Sequence, residues 1–293
     1  MNMGIIAASR LRASPVNTSS FIIEVDTTKA GTPSDQFQFT GAQGNYDVVA
    51  KQGGSVVQTF TNLSDEETVT FSGGSGIYVL EVTAKATNGF NRINFNGGGD
   101  KLKITDNKQY GNVVWSSFGS AFSGCSNMLV TATDVPNLSS VTNMISMFRD
   151  ASLANPDVSN WDVSSVTNMS SMFQGTDSFD QPLNNWDVSN VTSMNRMFFG
   201  ALLFNQPLNN WDVSNVVNME FMFIVAKDFN QPINNWDVSS VTNMVGMFQL
   251  TDNFNQDLSD WCVSQFSEQP IRFDQDADGW VLPNSRPIWG TCP

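Results

Sequence analysis

The sequence predicts a β-rich, mixed chain in two parts, a β-sandwich followed by a solenoid. Three observations carry that prediction. Short alternating apolar runs, separated by Gly, Asn and Asp clusters, fill residues 18–110. A 25-residue period governs residues 111–261. Only 14% of the chain is charged against 40% apolar, so Asn, Ser, Thr, Gln and Gly must keep its surface wet.

Taken in order, residues 1–17 form an N-terminal extension that reads as an attachment strand. Its apolar stretch, Ile5 to Ala8, is too short for the core of an export signal. The next runs are Phe21-Ile23-Val25, Phe37-Phe39, Tyr46-Val48, Val69-Phe71, Tyr78-Leu80-Val82, Ile93-Phe95 and Leu102-Ile104. Period-two alternation between turn clusters marks half-buried strands, and this spacing suits an antiparallel sandwich of immunoglobulin-like type.

From 111 to 261 the period sets the reading. Trp161, Trp186, Trp211, Trp236 and Trp261 lie 25 apart, and the first four begin Trp-Asp-Val-Ser. Met144, Met169, Met194, Met219 and Met244 keep the period, as do Phe148, Phe173, Phe198, Phe223 and Phe248. In one unit, Trp186–Ser189 reads as a short strand with Trp186 and Val188 inward. Val191, Met194, Met197 and Phe198 then read as one face of a two-turn helix. Strand, helix and return make one coil of a leucine-rich-repeat-like solenoid, and stacked coils bury what one coil cannot. Residues 262–293 read as a C-terminal cap.

Composition narrows the function. With 28 Asp+Glu against 14 Lys+Arg, the net charge of −14 opposes nucleic acid and anionic lipid. No apolar run reaches 18 residues, so no helix inserts into a membrane. Histidine is absent, which removes the commonest general base and every Ser-His-Asp arrangement. No catalytic residue is nominated.

The unit WDVSNVTSMNRMFFGALLFNQPLNN resembles the repeats of BspA-like bacterial surface proteins and their DUF285 relatives, in the leucine-rich-repeat superfamily. The resemblance spans roughly 115–293. AFSGCSNML looks like the family's entry coil, and Trp261-Cys262 to Trp289-Gly290-Thr291-Cys292-Pro293 looks like its cap. Upstream, INFNGGGDKLKI belongs to a module similar to the PKD-like domains that precede such repeats. One departure is Lys51-Gln52-Gly53-Gly54-Ser55, where that module usually has an acidic Gly-Asp-Gly turn. The resemblance implies an adhesion or interaction protein without catalysis. Members occur on bacterial surfaces and in bacteriophage genomes, and the short N-terminal apolar stretch favours the virion. Implied partners are other virion proteins through the N-terminal domain and a host surface protein or glycan through the solenoid. Homo-oligomers are compatible with this. A cellular surface adhesin is the runner-up, and a phage depolymerase the third reading.

Candidate site residues follow. Asp162, Asp187, Asp212 and Asp237 form a column that is either an acidic ligand face or a recurring structural hydrogen bond. The second reading is favoured, because identity between units reflects the coil's own architecture. Asn columns at 185/210/235 and 143/168/218/243 are read as structural. Asp274, Asp276 and Asp278, followed by Gly279, match the first half of a calcium loop, but the twelfth position is Ser285 rather than Glu. Calcium is therefore the one cofactor weighed. Cys262 and Cys292 bracket the cap and are expected to bond, leaving Cys125 buried.

Overall fold

The computed structural model describes residues 19–86, 88–281 and 285–293, so the attachment strand expected at 1–17 lies outside it. The described chain is β-rich and nearly free of helix. Its strands are β1 (Phe21–Asp26), β2 (Gln36–Gln38), β3 (Asn45–Gln52), β4 (Ser55–Ser64), β5 (Thr68–Thr70), β6 (Ile77–Ala84), β7 (Ile104–Gln109) and β8 (Leu129–Val130). One sheet has the order β4-β3-β6-β1-β7-β8, and β2 pairs with β5 in a smaller one. The large sheet is mixed. Its pairings are antiparallel except β7 with β8, which is parallel.

Alternation does what the sequence suggests. Phe21, Ile23, Val25, Tyr46, Val48, Tyr78, Leu80 and Val82 are all buried. The small sheet covers them: the Phe39 ring centre lies 5.4 Å from Tyr46, and Phe71 stacks on Tyr78 at 4.0 Å. Side chains of opposite parity carry cross-strand ion pairs on the outer face. Lys51 meets Glu81 at 2.5 Å, Lys85 meets Asp47, and Lys108 meets Glu24 at 3.2 Å; Lys108 also reaches buried Asp106 on its own strand at 2.9 Å.

β4 escaped the sequence reading. It is an edge strand with little burial on either face, so it shows no apolar alternation. Its hairpin with β3 turns at Gly53 and Gly54, with φ of 55° and 82°. Two successive left-handed residues match the twist of the flanking strands, and glycine adopts them without a Cβ clash. The run at Ile93–Phe95 is not a strand.

The long β1–β2 connection is held from beneath. Asp100 and Lys103 are fully buried and 3.5 Å apart. The Asp100 carboxylate accepts from the amides of Thr32 and Gln38 at 2.6 and 2.7 Å. The Lys103 ammonium donates to the carbonyls of Thr32, Pro33 and Gln36 at 2.9, 3.1 and 2.8 Å. Burial holds that ammonium's pKa below its ordinary value. Both charges lie in the GGGDKLKI stretch, whose role is now explicit.

Beyond residue 110 the units are built differently from the expectation. Trp186–Val188 is irregular chain between two turns, not a strand, and Met194–Phe198 is not a helix. Instead, amides in one unit bond to carbonyls of the next. Met194 N donates to Asn218 O, Arg196 N to Glu220 O, Phe198 N to Met222 O and Gly200 N to Ile224 O, each at 2.9 Å. Parallel bridges join Asn143, Asn168, Ser193, Asn218 and Asn243 in series. A helix would satisfy these amides internally. Here Arg196 at φ 54° and Gly200 at φ 66° interrupt any helical path, and the amides point along the stack. The i, i+3 apolar spacing fits both geometries, which is why it misled.

The columns themselves are core. The Met and Phe columns are at 0% exposure. Phe148, Phe173, Phe198, Phe223 and Phe248 stack at successive centroid distances of 5.9, 5.9, 5.6 and 5.7 Å. These offset, near-parallel rings have the geometry aromatic pairs favour.

Hydrogen bonding and core cross residue 110 without a break. Ser116 N donates to Asn91 O at 3.0 Å, Phe95 N to Ser120 O at 3.2 Å, and Asn127 Nδ2 to Leu102 O at 2.7 Å. Trp115 packs against Phe21 and Phe90 on one side and Phe118 on the other. Residues 91–107 thus serve as the first rung. At the far end Gly246, Phe248 and Leu250 donate to Ile271, Phe273 and Gln275, so the cap supplies a last rung. Cys262 and Cys292 are joined by a disulfide across it.

Candidate functional site

The Asp column is exposed, and each carboxylate closes a local turn. Asp162, Asp187, Asp212 and Asp237 each accept from the hydroxyl of the serine two residues on, at 2.6 Å. The same serines' amides donate to the same oxygens at 3.0–3.2 Å. Asp157 with Ser159 repeats the device outside the column. These serine hydroxyls, then the amides, hold Asp162, Asp212 and Asp237 below the usual carboxylate range. Asp212 pushes Asp237 the other way, but less strongly. One oxygen of each carboxylate is thus committed to the fold.

The Trp column points inward. Trp186, Trp211, Trp236 and Trp261 are 0–3% exposed. Each indole N–H donates to a carbonyl 28 residues earlier, Val158, Leu183, Leu208 and Ile233, at 2.8–3.0 Å. The tryptophans therefore tie neighbouring units and offer no sugar platform.

Asparagines stitch the units too, mainly in a column the sequence reading passed over. Asp180 Oδ1 accepts from Asn205 N, Asn205 Oδ1 from Asn230 N, and Asn230 Oδ1 from Asn255 N, at 2.9–3.0 Å. Gln206, Gln231 and Gln256 add side-chain bonds to the same oxygens. The signal was present in the recurring Phe-Asn-Gln. By contrast Asn143, Asn168, Asn218 and Asn243 accept from amides two residues on, within their own unit.

The three aspartates of the calcium-like loop do not converge. Asp274 is engaged by Gln269 Nε2 at 2.6 Å and Arg286 Nε at 2.9 Å. Asp276 sits at φ 60° and accepts from its neighbour Gln275. Ser285, in the place of the bidentate Glu, accepts from the Trp280 indole at 2.7 Å. Among the described residues no group of three His, Cys, Asp or Glu side chains gathers to hold a metal. Cys125 is fully buried, and that burial pushes its thiol pKa up, which leaves it unreactive.

One turn edge varies between units while its backbone does not. Successive units place two residues each in the left-handed region: Ser146 and Asp150, Ser171 and Gly175, Arg196 and Gly200, Phe221 and Val225, Gly246 and Leu250, Arg272 and Asp276. Their φ values span 54–66°. The backbone is constant here while the side chains run from glycine to phenylalanine. Periodicity could not reveal this edge, because its positions do not repeat.

Residues 116–224 and 206–284, more than half of the chain, match the family described as "Mycoplasma protein of unknown function, DUF285". Neither a curated protein nor a solved structure matches the chain.

Proposed function

The chain belongs to the DUF285 family, and on that premise we propose that it is a non-enzymatic interaction protein carried on a bacteriophage virion. In this reading an immunoglobulin/PKD-like β-sandwich attaches to other virion proteins. The units from 111 to 261 act as a leucine-rich-repeat-type solenoid that contacts a host surface protein or glycan. The observation that carries the reading is the division of labour inside each unit. Trp, Met and Phe columns are constant and buried, whereas the turn edge changes from unit to unit and is mostly partly exposed, with Asp150, Leu250, Arg272 and Asp276 exposed. A scaffold with fixed packing and a changing edge suits recognition, because contacts can be altered without disturbing the stack.

Mass spectrometry of purified virus particles tests it. A fixed copy number relative to the major capsid protein, together with binding of the labelled chain to host cells, supports the reading. Recovery only from a cell-envelope fraction moves it to the second reading, a bacterial surface adhesin. The family's description, which names a cellular bacterium, favours that alternative. Release of reducing sugar from host polysaccharide would overturn the non-enzymatic assignment.

A further inference from the structure

We propose that the turn edge between Arg196 and Arg272 is a docking strip for an extended protein segment carrying apolar side chains between two carboxylates. The proposal rests on the reading of the stacked units as the contacting part of the molecule.

The argument begins with backbone conformation. A left-handed φ suits glycine and disfavours bulky or β-branched side chains. Gly175, Gly200 and Gly246 show that this fold takes glycine at these positions. Yet the neighbouring units place Arg196, Phe221, Val225, Leu250 and Arg272 there, at φ 54–60°. Strain kept where the fold offers an unstrained alternative points to a role outside folding.

The side chains are also arranged. The Arg196 guanidinium lies 5.0 Å from the centre of the Phe221 ring. A Cβ at Gly246 would fall 2.5 Å from Cδ1 and Cε1 along one edge of the ring, so only glycine lets the ring lie there. Phe221 is thereby held half-buried, with Arg196 over one face and Gly246 against one edge. Val225 and Leu250 occupy the same turn position in adjacent units, joined through Val225 N to Gln249 O at 3.0 Å. Leu250 is 38% exposed.

Charge selects the occupant. On a chain of net −14, Arg196 and Arg272 bracket this apolar strip. Neither forms an ion pair with the described residues. Nearby Glu220 accepts from Asn195 Nδ2 at 3.0 Å, and Asp274 is held by Arg286. The two arginines stand three rungs apart, roughly 15 Å at about 4.8 Å per rung. An extended chain rises about 3.3 Å per residue, so it would meet both with carboxylates four or five residues apart. A glycan is disfavoured because Phe221 is half-buried with Arg196 over one face, so it gives a sugar ring little to stack on. A basic segment is repelled at both ends.

The test compares the full chain with a variant carrying Arg196→Ser, Phe221→Ser, Val225→Gly and Leu250→Gly, residues that other units already hold at these positions. Both are challenged with a ribosome-displayed library of short random peptides, after thermal melts establish that the variant folds. The full chain should enrich peptides with carboxylates four or five residues apart around apolar residues, and the variant should lose that enrichment about tenfold. A second variant, Arg196→Glu with Arg272→Glu, should reverse the charge preference. Enrichment of nothing, of basic peptides, or of the same peptides by the variants overturns the proposal. If the library result fails while the full chain still binds host cells, this strip falls and the reading of the stack stands. If the full chain is neither in particles nor on cells, the reading itself falls.

Discussion

The sheet and the stack solve the same problem with different chemistry. In the sheet, partners are far apart in sequence and each pairing is unique: β1 sits between β6 and β7, and its register with β7 shifts twice. Charges cross-link its outer face, and one buried pair, Asp100 with Lys103, pins a loop. In the stack, partners are mostly 24 to 28 residues apart, and backbone amide-to-carbonyl bonds between units are reinforced by neutral Asn, Gln, Thr and Trp side chains. The difference teaches where each part is fragile. The sheet depends on single irreplaceable contacts, whereas the stack shares its stability among nearest neighbours.

The largest effect should come from Lys103→Met. It strands Asp100 as a buried unpaired charge, a loss of about 3–5 kcal/mol. Urea denaturation should show it, and a loss under ~1 kcal/mol would mean water reaches the pair. Next is Cys262→Ser with Cys292→Ser. These residues are 30 apart, and opening such a loop costs about 3–4 kcal/mol. Hydrogen exchange should place that loss in the last rungs and leave β1–β7 unchanged. Spread over the whole chain, it would erase the proposed contrast. Thiol titration of unfolded, unreduced wild-type protein should find Cys125 alone.

Asn230→Ala comes third. It removes the acceptor for the amide of Asn255 and for the side chain of Gln256, a cost of about 1–3 kcal/mol. Equal losses for Asn205→Ala would support nearest-neighbour behaviour, and unequal ones would argue against it. The smallest effect belongs to Asp187→Asn, which keeps an acceptor oxygen for Ser189. Its melting temperature should stay within a degree or two of wild type. Lost host-cell binding with that unchanged melting would make the Asp column a contact face after all.

Acid should bear more heavily on the stack than on the sheet, where Asp47, hydrogen-bonded by Lys85, likewise has a lowered pKa. Asp157, Asp162, Asp212, Asp237 and Asp257 all have carboxyl pKa values lowered by serine hydroxyl and amide donors. A lowered folded pKa contributes stability that is present above the unfolded value, about 3.9, and is lost as pH falls through the folded value. Asp177, raised by burial and by Asp150, acts in the opposite sense. Melting of the stack should therefore hold from pH 7 to about 5 and fall below about 4. A fall beginning near pH 6 would implicate other groups.

Much of the fold was legible in the sequence for identifiable reasons. The strands of the large sheet showed because one face is wet and the other dry, so Tyr46 and Val48 alternate with Asn45 and Asp47. β4 did not show because it has no dry face. The buried columns showed because each unit must present the same side chain to the one below. Their backbone geometry did not, since Val191, Met194, Met197 and Phe198 fit a helix and a turn series equally well. Of the candidate site, the Asp column was legible as a recurring structural hydrogen bond, and the structure adds that its partner is the serine two residues on. The Asp274–Asp278 spacing suggested convergence, but among the described residues Asp274 pairs with Arg286 and no group of three carboxylates gathers.

By itself the sequence determined which residues are interior, how far apart the stacked partners lie, and that histidine chemistry is absent. Those follow from periodicity and composition, which are local or additive properties. Only the tertiary structure decided where the backbone amides go. A chain of alternating or periodic side chains does not say whether an N–H bonds within its own turn or to the next unit. In the stack that choice is made by packing, once neighbouring Phe and Met columns bring the next rung's carbonyls within reach. The same choice bends each turn through two left-handed residues, and so creates an edge on which side chains differ while the backbone stays constant.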